Sequence, residues 1–295
     1  MTEVKITDND IGDKLRGKSA IVTGGSSGQF IVDMVQRGIG IVHYLTKCGV
    51  KVLIGDVQPP TQPIDGPVYQ KTDAGSWDDL LALFKKAQQL FGRIDIVVPN
   101  AGFGDRGDYN FKQDANGDPS KPEFDCLGVT LIGQMYTVKL ALHYMRYQTP
   151  QGGVIVSTVS RSGYDCQSIP VYAVAKHGMI GLMRGLRNHT PAWNVRLNSI
   201  GSHITDTAAT RSVEWLIPKL KEVGIPVSTV EETARAAAFL AANEAYNGCT
   251  ISIMGSEYRE LESGVERHKR DIMGNDPRFN PNPEQQAVLG KTSLG

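Results

Sequence analysis

With 295 residues, 40% of them hydrophobic, the chain is long enough to bury one large core and fits a single α/β domain with loops and a tail. Its 31 basic and 31 acidic side chains balance, so no long basic run argues for a nucleic-acid partner and no acidic tail for a charged one. Cys48, Cys126, Cys166 and Cys249 form neither a CxxC pair nor a metal-ligand spacing, and no apolar run reaches membrane-spanning length. The expectation is reduced thiols, no metal, no membrane partner and a cytoplasmic location, since the first residues also lack an apolar signal core.

Strand and helix signals alternate along the chain. They predict a doubly wound parallel sheet of about seven strands, Rossmann-type, with helices on both faces. Residues 1–16 read as an N-terminal extension, 17–260 as one dinucleotide-binding and catalytic domain, and 261–295 as an irregular tail with Pro277, Pro281 and Pro283. Strands are expected near 19–23, 51–55, 67–71, 94–98, 153–158, 194–198 and 250–253.

The first strand runs into Thr23-Gly-Gly-Ser-Ser-Gly28. A glycine-rich strand-to-helix turn lets backbone N–H groups approach a pyrophosphate that the helix N-terminus also attracts. Gly24, Ser26 and Gly28 are therefore candidate cofactor contacts. Asp56 closes the second strand. A carboxylate there either caps a turn or accepts hydrogen bonds from an adenosine ribose, and in the second role it repels a 2′-phosphate and favours NAD over NADP. Further on, Ser76 followed by Asp79, with Leu80, Leu83, Ala87 and Leu90 at helical period and Gly92 after them, marks a capped helix. A second long helix is expected over 127–146. The polar, turn-rich residues 103–122 read as a loop bordering a substrate mouth. Residues 206–226, with Trp215, Leu216 and Ile217 between polar stretches, read either as a mobile lid or as a surface helix.

The segment Val171-Tyr-Ala-Val-Ala-Lys176 carries the chemistry. Residues four apart share a helix face. An ammonium beside a phenol favours the phenolate, and a tyrosine tuned that way can pass a proton to or from a substrate oxygen. Tyr and Lys at this spacing are common by chance, so the pair needs company. Ser160, twelve residues before Tyr172, supplies it at the C-terminal end of a buried strand, where open α/β sheets place their ligands. Ser157 and Ser162 are close by, and the choice among them rests on register.

Together these residues resemble the short-chain dehydrogenase/reductase family over about residues 17 to 260, with details most similar to fungal secondary-metabolism and prostaglandin-dehydrogenase-like members. The resemblance implies NAD as cofactor, a small-molecule substrate and a homodimer or homotetramer packed through the helices of 127–146 and Tyr172. It implies Ser160, Tyr172 and Lys176 as catalytic residues, with Tyr172 and Lys176 also touching the cofactor. Asn100-Ala-Gly102 looks like the family's Asn-Ala-Gly motif beside the cofactor, which adds Asn100 and Gly102. Asp73 looks like its adenine-contacting aspartate. Thr205 falls where the family's threonine meets the nicotinamide carboxamide.

Four departures accompany the resemblance. Gly28 is followed by Gln29–Arg37 before Gly38-Ile-Gly40, so Gly24 and Asp56 lie 32 residues apart where about 20 is usual. Either a real insertion lengthens or bulges the first helix, or the sequence carries a splice-model error. Phe30, Ile31, Met34 and Val35 have helical spacing and can pack, whereas Gly38 and Gly40 inside a longer helix would cost roughly 1 kcal/mol each. Thr130 stands where the family has an asparagine that anchors a relay water to the lysine. Gly201-Ser-His203 replaces a proline-containing turn, and Gly255-Ser256 replaces two glycines. The expected function is an NAD(H)-dependent oxidoreductase interconverting a secondary alcohol and a ketone. The rivals are a non-redox isomerase or cyclase on the same fold, and a catalytically silent binding protein.

Overall fold

The computed structural model describes residues 2–26, 34–104, 112–165 and 169–274. Gly28, Cys166, residues 29–33 of the expected insertion and the three tail prolines lie outside the described residues.

The strands are β1 (Thr2–Glu3), β2 (Ser19–Thr23), β3 (Lys51–Asp56), β4 (Val68–Lys71), β5 (Ile96–Val98), β6 (Gly153–Thr158), β7 (Val195–Ser202), β8 (Thr250–Met254) and β9 (Glu257–Glu260). The helices are α1 (Asp8–Ile11), α2 (Met34–Lys47), α3 (Trp77–Phe91), α4 (Asp125–Leu127), α5 (Gln134–Tyr147), α6 (Pro170–Leu186), α7 (Ala208–Arg211), α8 (Leu216–Glu222), α9 (Val230–Ala242) and α10 (Glu262–Met273). Among the described residues the strands form one sheet in the order β1-β9-β8-β7-β6-β5-β2-β3-β4. All seven expected strands are present. β2 to β8 pair in parallel, while β8–β9 and β9–β1 are antiparallel.

Side chains alternate across a strand, so a sheet buried on both faces reads as a continuous apolar run. Ala20, Val22, Val52, Ile54 and Val98 face one layer, built from Ile41, Val42 and Leu45 of α2 and the alanine-rich α9. Ile21, Leu53, Val97 and Ile155 face the other, built from Leu80, Leu83 and Phe84 of α3, Val138 and Met145 of α5, and Met179 and Met183 of α6. The α3 cap is as expected: the Ser76 hydroxyl accepts from the Asp79 N–H, and Gly92 takes the left-handed conformation. Leu90 is exposed, so the buried stripe runs through Phe84 instead.

The chain leaves β2 for β3 and β4 on one side, then returns to β5 on the other. That reversal opens a crevice at the carboxyl ends of β2 and β5, the usual ligand position in such sheets. α2 borders it. This helix extends one turn ahead of Gly38, which is the lengthened-helix alternative from Met34 onward. Gly38 and Gly40 are close-approach residues: a Cβ on Gly38 would run into the Gly24 carbonyl and the Asn100 side chain, and one on Gly40 into Val230 of α9. Packing thus offsets the helix cost of both glycines.

Three regions differ from expectation. Residues 1–16 join the domain: Thr2 and Glu3 pair with β9, and Ile11 and Leu15 are buried in the core. In the tail, 262–273 is helical rather than irregular, because the Glu260 carboxylate accepts from the N–H groups of Glu262 (2.7 Å) and Ser263 (2.9 Å) and so caps α10. The helix expected over 127–146 contains a π-helical stretch, Gly128–Gly133, between α4 and α5. Gly255-Ser256 makes the hairpin between β8 and β9, with the positive φ of 58° falling on Gly255, where one glycine suffices.

Candidate active site

Ser160 follows β6 with extended backbone and caps the short turn Arg161–Gly163, its hydroxyl accepting from the Ser162 N–H at 3.2 Å. Gly163 lets that turn seat on α6: a Cβ there would lie 2.9 Å from the Lys176 carbonyl oxygen and 2.5 Å from Ile180 Cδ1. α6 starts with Pro170 in its first turn, a position where the missing N–H costs nothing. Tyr172 and Lys176 follow one turn apart, both buried. Tyr172 packs with Val171 and Cys126, and Phe103, Leu127 and Ile169 lie against that cluster. The Lys176 ammonium lies 5.4 Å from the Tyr172 ring centroid and donates to the Thr158 carbonyl at 2.8 Å. The three candidate catalytic residues are therefore brought to one place by α6 and the turn that Gly163 docks on it.

Burial pushes the Lys176 ammonium down to about 7, with the Arg37 guanidinium pushing in the same direction and Cys126 opposing. A lysine ammonium at its ordinary pKa would act on the phenol as a fixed charge. In the folded chain the charge is itself close to balance at neutral pH.

The Gly24 end of the crevice is tied to β5. Asn100 Nδ2 donates to the Gly24 carbonyl at 2.9 Å, and the N–H groups of Asn100 and Ala101 both reach Thr23 Oγ1. Gly24 has φ +65°, and a Cβ on it would meet Ala101 Cα at 2.7 Å, so only glycine fits. Gly102 follows, half-buried. Asp56 accepts from the Ser26 N–H at 3.0 Å and the Gln58 N–H at 3.3 Å. Burial pushes its carboxyl up, partly opposed by those hydrogen bonds. The two alternatives for Asp56 are compatible, since its oxygens cap the turn at the edge of the crevice. Asp73 is exposed and accepts from the Gly75 N–H at 2.8 Å. Thr205 is fully buried.

These residues suit a polar dinucleotide. The Ser26 and Thr205 hydroxyl oxygens are buried with no hydrogen-bond partner among the described residues, and buried polar groups are normally paired. Both lie on segments that resemble cofactor-contacting ones. Gly24 gives the close backbone approach. One feature does not fit, the buried Arg37 side chain.

Thr130, at the position the resemblance gives to a relay asparagine, is fully buried. Its hydroxyl donates to the Phe103 carbonyl and accepts from the Phe103 N–H, each at 2.9 Å. It fixes Phe103, which packs beside Tyr172. On the rim, Arg161 lies 3.1 Å from His203 Nε2 and pairs with Asp165 at 3.0 Å. Burial, then the nearby Arg161 charge, pushes the His203 imidazole below its usual value. Behind the site, Glu262 of α10 accepts from Tyr164, Arg184 and Arg187. Burial raises its carboxyl, but the hydrogen bonds from Arg184 and Tyr164 outweigh that and hold it below the usual range. Trp215, between α7 and α8 over the expected lid, is 68% exposed.

The model of the short chain dehydrogenase family matches residues 18–215. The chain belongs to that family. It is 38% identical over 273 residues to the short-chain dehydrogenase/reductase ascJ of Acremonium egyptiacum, covering 90% of this chain and 87% of that one. It is 29% identical over 217 residues to the 5'-hydroxyaverantin dehydrogenase stcG of Emericella nidulans, covering 65% and 68%. Among solved structures, it superposes on the ligand-free aldohexose dehydrogenase of Thermoplasma acidophilum with a TM-score of 0.68 at 24% identity, covering 82% of this chain and 94% of that one. It also superposes on the 3-ketoacyl-(acyl-carrier-protein) reductase of Brucella melitensis complexed with NADH, with a TM-score of 0.66 at 24% identity, covering 81% and 97%. The chain is an oxidoreductase-family protein with a Rossmann-like fold. No helix among the described residues is long and apolar enough to cross a membrane.

Sequence reasoning missed Arg37, Arg161 and His203. The one available signal was the position of Arg37 immediately before Gly38 in the surplus segment.

The Lys176 value sets a pH dependence of stability. Its folded pKa is depressed below the unfolded one, near 10.4, so the cost of the buried charge is present in full below about pH 7 and is relieved as pH rises toward the unfolded value. Lys176→Met removes the titrating group. In urea unfolding, the stability of the native protein relative to Lys176→Met should therefore rise between pH 7 and 9 and stay level below pH 6. Parallel curves across the window would contradict the buried, depressed ammonium.

Proposed function

We propose that the protein is an NAD(H)-dependent oxidoreductase that interconverts a secondary alcohol and a ketone on a small or medium organic substrate. The observation that carries this reading is the buried Tyr172–Lys176 pair on α6, with the Ser160 turn docked against the same helix. In this proposal residues 17–260 form the catalytic unit, drawing on the N-terminal residues for core and sheet edge. The setting is cytoplasmic and, as the finer resemblance suggests, secondary metabolism.

Ser160 holds and polarises the substrate oxygen. Tyr172 gives the proton to that oxygen in reduction and takes it in oxidation. Lys176, charged when an anionic partner is near, lowers the cost of the phenolate. Gly24, Ser26, Gly28, Asp56, Asp73, Asn100, Gly102 and Thr205, with Tyr172 and Lys176, would hold the dinucleotide, Asp56 at the adenosine ribose and Thr205 at the carboxamide. When bound, the nicotinamide ring supplies or accepts the hydride. The Thr130–Phe103 pair fixes the wall beside Tyr172. A homodimer or homotetramer is supported by apolar side chains left exposed along 132–147 and on α6, including Met135, Tyr147 and Val174. The non-redox alternative draws on Arg37, whose side chain crosses the crevice, and is separated by whether turnover needs a dinucleotide.

Tyr172→Phe removes only the hydroxyl. Turnover of a ketone–alcohol pair should fall by about 10²–10⁴ with fold and NADH affinity retained, and near-full activity would reject Tyr172 as the acid/base. NAD(H) should bind more tightly than NADP(H), because the Asp56 carboxylate repels a 2′-phosphate. Calorimetry with both cofactors should show Asp56→Ala narrowing that gap; equal or tighter NADP(H) binding by the native protein would refute the assignment.

A further inference from the structure

A helix that presents its N-terminus to a pyrophosphate needs that terminus beside the glycine turn. Here the position touching the turn is taken by Gly38, the fifth residue of α2. Met34 to Arg37 carry the helix about 6 Å past it, at 1.5 Å per residue. Arg37 is the last residue of that extra turn. Its side chain is 3% exposed, and its Nη1 donates to Ser202 Oγ at 2.5 Å. Ser202 ends β7, and Thr205, whose hydroxyl has no partner among the described residues, follows three residues later. The guanidinium therefore joins the start of α2 to the end of β7, across the crevice at the carboxyl ends of the strands.

We propose that Arg37 is a latch on the dinucleotide site: its side chain fills the crevice between α2 and Ser202, and a nicotinamide dinucleotide binds only by displacing it. The proposal rests on the reading of this crevice as the cofactor site. Three observations favour a latch over a phosphate clamp. A clamp presents its donors to an open crevice, whereas this guanidinium is enclosed and already bonded across the gap. The turn that carries it stands where backbone N–H groups would otherwise converge on phosphate. Its charge also disfavours the nearby Lys176 ammonium, so removing it from the crevice relieves a repulsion between two buried cations.

The test is titration with NADH, followed by the cofactor's own fluorescence, of the native chain, Arg37→Ala and Ser202→Ala. Arg37→Ala should bind NADH at least about tenfold more tightly, equivalent to 1.4 kcal/mol, and Ser202→Ala should bind more tightly by a smaller factor. Weaker binding by Arg37→Ala would mean that the guanidinium serves the phosphates, and would overturn the latch. Equal binding by the three forms would overturn it as well while leaving the dinucleotide reading in place. If neither NADH nor NADPH binds any form, both the latch and the dinucleotide reading fail. Should Arg37→Ala not fold, Ser202→Ala decides alone, since it removes the acceptor and leaves the helix intact.

Discussion

The hydrogen bond from the Asn100 amide to the Gly24 carbonyl, 2.9 Å long, sits where the sheet reverses direction, and the site depends on it. It ties the turn after β2 to the end of β5. Thr23 reinforces the tie by accepting from two β5-end N–H groups. Gly38 then packs against the same carbonyl and the same amide, so the position of α2 is set by the junction. Everything at the mouth of the crevice takes its place from this knot: Ser26 and Asp56 on one side, Ala101 and the Phe103 loop on the other, and Arg37 above it.

The second constraint is electrostatic. A lysine enclosed in the fold and bonded to one carbonyl, with a guanidinium for company, is costly to charge. An enzyme that relies on that charge to favour a phenolate gains from a ligand that brings negative charge into the crevice. A dinucleotide would do so, and it would also offer partners to the hydroxyls of Ser26 and Thr205, which have none among the described residues. On the proposed reading, protonation of Lys176, occupancy of the crevice and readiness of Tyr172 would be coupled through that cost.

The parallel core was legible in the sequence because strands covered on both faces are apolar at every position, as Ala20–Val22 and Val52–Ile54 show. The α3 boundaries were legible because a cap needs a hydroxyl at one end and a glycine at the other. The proximity of Ser160 to α6 was legible only as a family resemblance; the contact that makes it, Gly163 on the Lys176 backbone, joins residues that share no local pattern. The helix α10 was missed because its cap comes from the preceding strand, through Glu260, where a search for Ser, Thr, Asp or Asn finds nothing. Arg37 belongs by sequence to the surplus segment, and its bond to a residue 165 positions away leaves no trace in spacing or periodicity. Thr130 stands where the resemblance places a relay asparagine, and the use of its hydroxyl on both backbone groups of Phe103 is not legible from that register.

The central claim is that the crevice at the carboxyl ends of β2, β5 and β7 is a nicotinamide dinucleotide site served by Tyr172. A crystal structure of the chain grown with excess NADH tests it most directly. The expected result is the adenine ribose on Asp56, the nicotinamide beside Tyr172 and Thr205, and the Arg37 side chain withdrawn from Ser202. A crystal soaked to saturation in which the crevice keeps its Arg37–Ser202 bond and holds no dinucleotide would contradict it.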